Sequence, residues 1–381
     1  MGKAAREQLD RVLSEYLNTA HETFQMLDQT PASSLEKVSW KEVIEIGEQV
    51  SKQATMVGML YTGETPEIKV LEENMAAYFN TLQGFLLLSH GSSVGAGPTL
   101  LSCIHGSVKQ VVDSSFMLLQ GAVSSYGGIN HDEVFLNGLT GSSSNKTQKL
   151  TIPQLVGAVW NACSALKKTP VTNVTAIGRA MKQAAVSMKD VLREMKELKP
   201  ASSDSADEAS IHDSTKGEDK SISDDDDDSY DDELGNDLTP EEMKIVHLTT
   251  SIVSETLAVV KELIRYITGL LQLESAGDGS ISVDSLEKLL KLCQETGLQI
   301  DELGACLYPP QEITAIKVAL EKILSFSNET ETELRNLKGF IEDFGKACTS
   351  LRSSLRQLET ELGCSNVGDL VPKLENLVVS S

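Results

Sequence analysis

The segment Ala201–Asp237 cannot enter a hydrophobic core, and that constrains everything on either side of it. It holds fifteen Asp and Glu against two Lys, including the run Asp224–Asp228. Of the chain's formal charge of −23, −13 falls here. A sequence this charged and this poor in apolar side chains cannot offset the entropy cost of ordering. It predicts a disordered acidic linker over 201–237, with one folding unit over 1–200 and another over 238–381. For 381 residues, two domains are the expected number.

Both flanks read as helix. Leu9, Val12, Leu13, Tyr16, Leu17, Ala20, Phe24 and Leu27 recur at three-four spacing, which predicts a first helix over Gly2–Asp28. A second begins near Ser39 and runs through Val57. Pro66 opens a third, and Pro98 opens a fourth at the first-turn position that proline tolerates. Gly, Ser and Asn mark 126–151 as a loop, and helices follow over Ile152–Lys167 and Thr172–Leu198. Thr239-Pro240-Glu241-Glu242 is a strong helix start, with a capping threonine, proline at the first position and a glutamate to close the box. Further helices are predicted through Leu271, over Val283–Leu307, from Gln311 to about Leu324, over Glu329–Leu362, and briefly at Leu370–Val379. No alternating strand pattern occurs. The expected fold is all-α, two antiparallel helical bundles joined by the acidic linker.

Charge and composition narrow the function. An acidic chain without a Lys/Arg block repels phosphates, so direct nucleic-acid binding is not expected. The six cysteines, Cys103, Cys163, Cys293, Cys306, Cys348 and Cys364, form no CxxC pair, and most fall within apolar helical stripes. They read as reduced core residues of an intracellular protein. No apolar run approaches a membrane span and no signal core opens the chain, so no membrane partner is expected and the sequons at Asn145, Asn173 and Asn328 are expected to be unused.

Catalytic and metal motifs are weak. Gly91-Ser92-Ser93-Val94-Gly95 matches the nucleophile-elbow spacing, but that elbow needs a strand entering and a helix is predicted here. Asp278-Gly279 resembles the middle of a calcium loop, yet Ala276 and Ser285 stand where ligands are required. The histidines His21, His90, His105, His131, His212 and His247 have no partner at metal-ligand spacing. No catalytic, cofactor or metal residue is assigned. The stripe Leu351, Leu355, Leu358, Leu362 alternates by four and three like a zipper seam, but is short enough to pack inside its own bundle. Ser221, Ser223 and Ser229 each precede an acidic residue by three positions, which suits an acidophilic kinase of the casein kinase 2 type and would add charge to an already extended segment.

Three features together resemble a known family. They are Val159-Trp160-Asn161-Ala162-Cys163 followed by Lys167-Lys168-Thr169-Pro170, the string Leu307-Tyr308-Pro309-Pro310, and the acidic segment between them. The chain is similar to the cyclin-D-binding proteins, also called Grap-and-cyclin-D-interacting proteins. That resemblance implies an all-helical, non-enzymatic regulator of the nucleus and cytoplasm. It implies binding to D-type cyclins and helix-loop-helix transcription factors, and restraint of cell-cycle progression. It also implies absence of the basic region that reads DNA, and here the segment ahead of the leucine stripe, Ser325–Glu333, is acidic. A helix-loop-helix factor paired with such a chain would lose DNA contact. From the residues themselves, Trp160 with Val156, Val159 and Cys163 is expected to anchor the first core, and Pro309-Pro310 to set a sharp turn. The leading reading is an interaction protein that docks helix faces. The alternative is a vinculin-like helical scaffold or cytoskeletal adaptor.

Overall fold

The computed structural model describes residues 2–29, 36–60, 67–125, 150–200, 238–275, 282–337 and 342–368. The linker 201–237, the loop over 126–149, the calcium-loop match at 276–281 and the short helix at 370–379 lie outside them. Every element among the described residues is helical: α1 Gly2–Gln25, α2 Trp40–Leu60, α3 Ile68–Ser92, α4 Pro98–Ser125, α5 Ile152–Ala165, α6 Asn173–Glu197, α7 Pro240–Ser275, α8 Val283–Cys306, α9 Ile313–Asn336 and α10 Glu342–Gly368. Single 3₁₀ turns extend α1 and α5.

The chain divides into two compact units, Met1–Ile177 and Gly178–Ser381. The boundary falls inside α6, not in the acidic segment. The cause lies in tertiary packing. Gly178 lies against Ile267 of α7, Met188 against Gly297 of α8, and Val191 against Gly304 of α8. The last approach is so close that a Cβ at Gly304 would stand 2.8 Å from Val191 Cγ1. Pro200 and Leu238 pair in an isolated parallel bridge, and Leu238 is fully buried. The residues that flank the segment therefore lie side by side in the second unit.

In the first unit α2 packs on α3 and α5, α4 on α5, and α1 on α3 and α4. Its core is centred on Tyr78, Phe79, Phe85 and Leu82, all buried. The Tyr78 hydroxyl donates to Ser115 Oγ at 2.9 Å, and Ser115 donates in turn to the Val111 carbonyl. Tyr16 stacks on Phe79 with centroids 4.7 Å apart. In the second unit α7 packs on α10, α8 on α9, and α9 also on α10.

Local chemistry sets the helix ends. Thr239 Oγ1 accepts from the Glu242 amide while the Thr239 amide and hydroxyl donate to the Glu242 carboxylate, completing the predicted capping box. Thr151 and Gln154 form a second box at α5, and Ser282 caps α8. One boundary differs from expectation. α9 does not stop near Leu324 but continues to Asn336, and α10 begins only at Glu342. The polar stretch after Leu324 contributes Ser327, Thr330 and Glu333 to the buried side of α9.

The membrane expectation also changes in part. α7 is long and apolar enough over 240–271 to cross a membrane by length and composition. Its buried side, including Ile252, Val259, Leu263 and Ile267, belongs to the side of the unit that packs on α10.

Candidate functional site

The nucleophile-elbow match is a helix end. α3 runs into it and stops at Ser92. Ser92 donates its hydroxyl to the Ser89 carbonyl and Ser93 to the His90 carbonyl, each at 2.7 Å, and both serines are buried. Gly95 takes φ +75°, which an L side chain avoids, and allows the turn into α4. Asn173 then fastens that turn, accepting from the Gly97 amide and donating to the Gly95 carbonyl. Each serine hydroxyl is engaged with a helix carbonyl, and no strand positions it for attack.

Among the described residues no cluster of His, Cys, Asp and Glu could hold a metal ion. His131 and His212 lie outside them. Cys163, Cys293, Cys306 and Cys348 are buried and free, and Cys103 is half-buried. Burial pushes the Cys163 and Cys293 thiols up to about 12, which keeps them protonated and unreactive at neutral pH.

The leucine stripe is core. Leu351, Leu355, Leu358 and Leu362 are all at most 2% exposed, on a helix packed against α7 and α9. The acidic stretch before it is also engaged. Glu331 accepts from Arg335 and Arg352, and Glu333 from Lys288. The Arg352 hydrogen bond first, then Arg335, holds the Glu331 carboxyl below its usual value. Lys288 does the same for Glu333. These carboxylates tie α9 to its neighbours α10 and α8.

Two motif regions do reach the surface. The first corrects the expectation for Trp160. Val159, Ala162 and Cys163 are buried as α5 packs inward, but Trp160 is 44% exposed. The buried tryptophan is Trp40, whose indole donates to the Leu166 carbonyl at 3.0 Å. Trp160 instead lies across the outside of α2, donating to Thr55 Oγ1 at 3.1 Å. Met59 is one turn from Thr55 and Met56 is its neighbour, and both are exposed. An exposed indole held by one hydrogen bond to a helix that also exposes two flexible thioethers supplies residue types that protein interfaces favour. The second region is the turn after α8, where Tyr308, Pro309 and Pro310 stand as expected between two helices. Tyr308 is 45% exposed and lines a cleft of about 280 Å³ with Val191, Met195, Leu198 and the carboxylate residues Glu194 and Asp301. Ser221, Ser223 and Ser229 lie outside the described residues.

Comparison with known proteins agrees with the motifs. Residues 42–201 match the family described as Grap2 and cyclin-D-interacting, N-terminal. Residues 223–332 match the corresponding C-terminal family. No curated protein matches the chain. Trp160 and Tyr308 fall inside the two matches, whereas α1 and the leucine stripe of α10 fall outside both. The two matches together span most of the sequence, and the chain belongs to the Grap2- and cyclin-D-interacting family.

Proposed function

We propose that the protein is a non-enzymatic adaptor that binds a D-type cyclin and restrains cell-cycle progression or transcription, acting in cytoplasm and nucleus. The family matches over 42–201 and 223–332 carry this reading. The docking face is the edge of α2 and α5 that presents Trp160, Met56 and Met59. It supplies an aromatic anchor and adaptable apolar contacts on a rigid helix pair. Grap2 is a second partner that the family description suggests. Helix-loop-helix factors are partners by resemblance, but pairing through α10 requires its leucines to leave α7. A partner of that class would therefore use an outer face and not the stripe. Phosphorylation of Ser221, Ser223 and Ser229 by an acidophilic kinase would tune these contacts by adding charge.

The test is retention of the purified full chain on an immobilised D-type cyclin, run beside co-sedimentation with filamentous actin. Retention by the cyclin and absence from the actin pellet is the expected result. The reverse pattern would replace the adaptor with the vinculin-like scaffold. Alanine at all three serines is expected to abolish phosphate incorporation and to change the apparent affinity; no change in either removes the kinase from the account.

A further inference from the structure

The outer face of α6 carries a concentration of positive charge in a chain whose total is −23. Lys182, Val186, Lys189, Arg193 and Lys196 are all exposed. At 3.6 residues per turn they fall within an arc of about 80°. The buried side, Met181, Ala185, Met188 and Met195, is turned about 105° from the centre of that arc. Arg193 pairs with Asp190 at 3.2 Å, while no ion pair engages Lys182, Lys189 or Lys196 among the described residues. Lys189 and Arg193 stand four apart and Arg193 and Lys196 three apart, spacings at which like charges destabilise a helix. Favourable interaction with the helix dipole covers only the last turn, and so accounts for Lys196 but not for Lys182 or Lys189. An anion approaching this face would relieve the repulsion.

The chain supplies such an anion at the end of the same helix. The segment 201–237, net −13, departs at Pro200 and returns at Leu238, which is bridged to it. From Lys182 to Lys196 the stripe spans about 21 Å. Asp224 stands fourteen residues before Leu238, a reach of up to about 46 Å. The acidic run therefore reaches the whole stripe, and tethering holds it at an effective concentration on the order of millimolar. We propose that the acidic segment 201–237 docks on the cationic outer face of α6, with Asp224–Asp228 and the acidic residues after it opposite Lys182, Lys189, Arg193 and Lys196. The contact is electrostatic and has no fixed register, because the segment offers carboxylates far in excess of the four cations. It is independent of which partner the protein binds.

Zero-length carbodiimide coupling of the full-length monomer tests this, since that chemistry joins a carboxylate to an amine only where the two touch. Peptide mapping is expected to place carboxylates of 224–233 on Lys182, Lys189 and Lys196 at least fivefold more often than on Lys261, Lys291 and Lys322, which are exposed in the same unit. The excess is expected to vanish at 1 M salt, where the screening length falls to about 3 Å. Even coupling across all six lysines, an excess insensitive to salt, or joins found only between two chains would each overturn the proposal.

Discussion

The edge of α5 at Trp160 and the leucine stripe of α10 exchange the roles their sequences suggest. A tryptophan among valines and a cysteine reads as core, yet Trp160 lies open on the outside of α2. A four-three leucine repeat reads as a seam for a partner, yet Leu351, Leu355, Leu358 and Leu362 are closed within the second unit. The difference is one of arc. The buried residues of α5, from Ile152 through Val159 to Leu166, centre on one side of the helix. Trp160 is turned about 100° from that centre. The α10 leucines share one line and meet an equally apolar α7. The proposed docking face is marked by an apolar residue displaced from the stripe, not by the stripe itself.

The largest effect that could break this contrast is in α10. Leu358→Ala is expected to destabilise the second unit by about 2–5 kcal/mol, because it leaves a cavity in a fully buried site. Urea unfolding followed by circular dichroism measures it. A loss below about 1 kcal/mol would mean the stripe is not held within the unit. The two tryptophans give a paired test of similar size. Trp40→Ala is expected to cost about 3–5 kcal/mol, since it empties a core position and removes the indole hydrogen bond to the Leu166 carbonyl. Trp160→Ala is expected to stay within about 1 kcal/mol.

Much of this architecture is legible in sequence because its causes are local. The capping residues Thr239 and Glu242 and the first-turn Pro98 sit within a turn of the helix starts they define. The parts that were not legible depend on distant residues. The Gly304–Val191 approach helps assign most of α6 to the second unit, and no composition shift marks Ile177. Glu333 looks like part of a solvated acidic stretch until Lys288 is brought to it across 45 positions. Trp160 could have been placed outside by its angle on the α5 wheel, a signal present in the sequence. The α9–α10 break lies beyond the polar run after Leu324, because Ser327, Thr330 and Glu333 of that run are buried on α9.

Smaller effects sharpen the picture of the acidic stretch as structural. Arg352→Ala is expected to cost the second unit about 1–3 kcal/mol by removing a partner from the half-enclosed Glu331. Glu331 and Glu333 both have carboxyls held below the ordinary value of 4.5 in the folded state. Their stabilising contribution is therefore fully present above that pH and is lost as pH falls through the depressed values. Chemical denaturation of the wild type between pH 6 and 3 should show that loss, and Glu331→Gln with Glu333→Gln should flatten it. An unchanged slope in the double variant would mean that other carboxylates carry the acid sensitivity.

The affinity of the full chain for a D-type cyclin, measured for the wild type and for Trp160→Ala with the urea midpoint of each, tests the central claim most directly. The account predicts at least tenfold weaker binding with a shift in stability of no more than about 1 kcal/mol, because hot-spot aromatics contribute to binding and not to the fold when they lie outside the core. Unchanged affinity in the variant would contradict it, and would move the docking face away from α2 and α5.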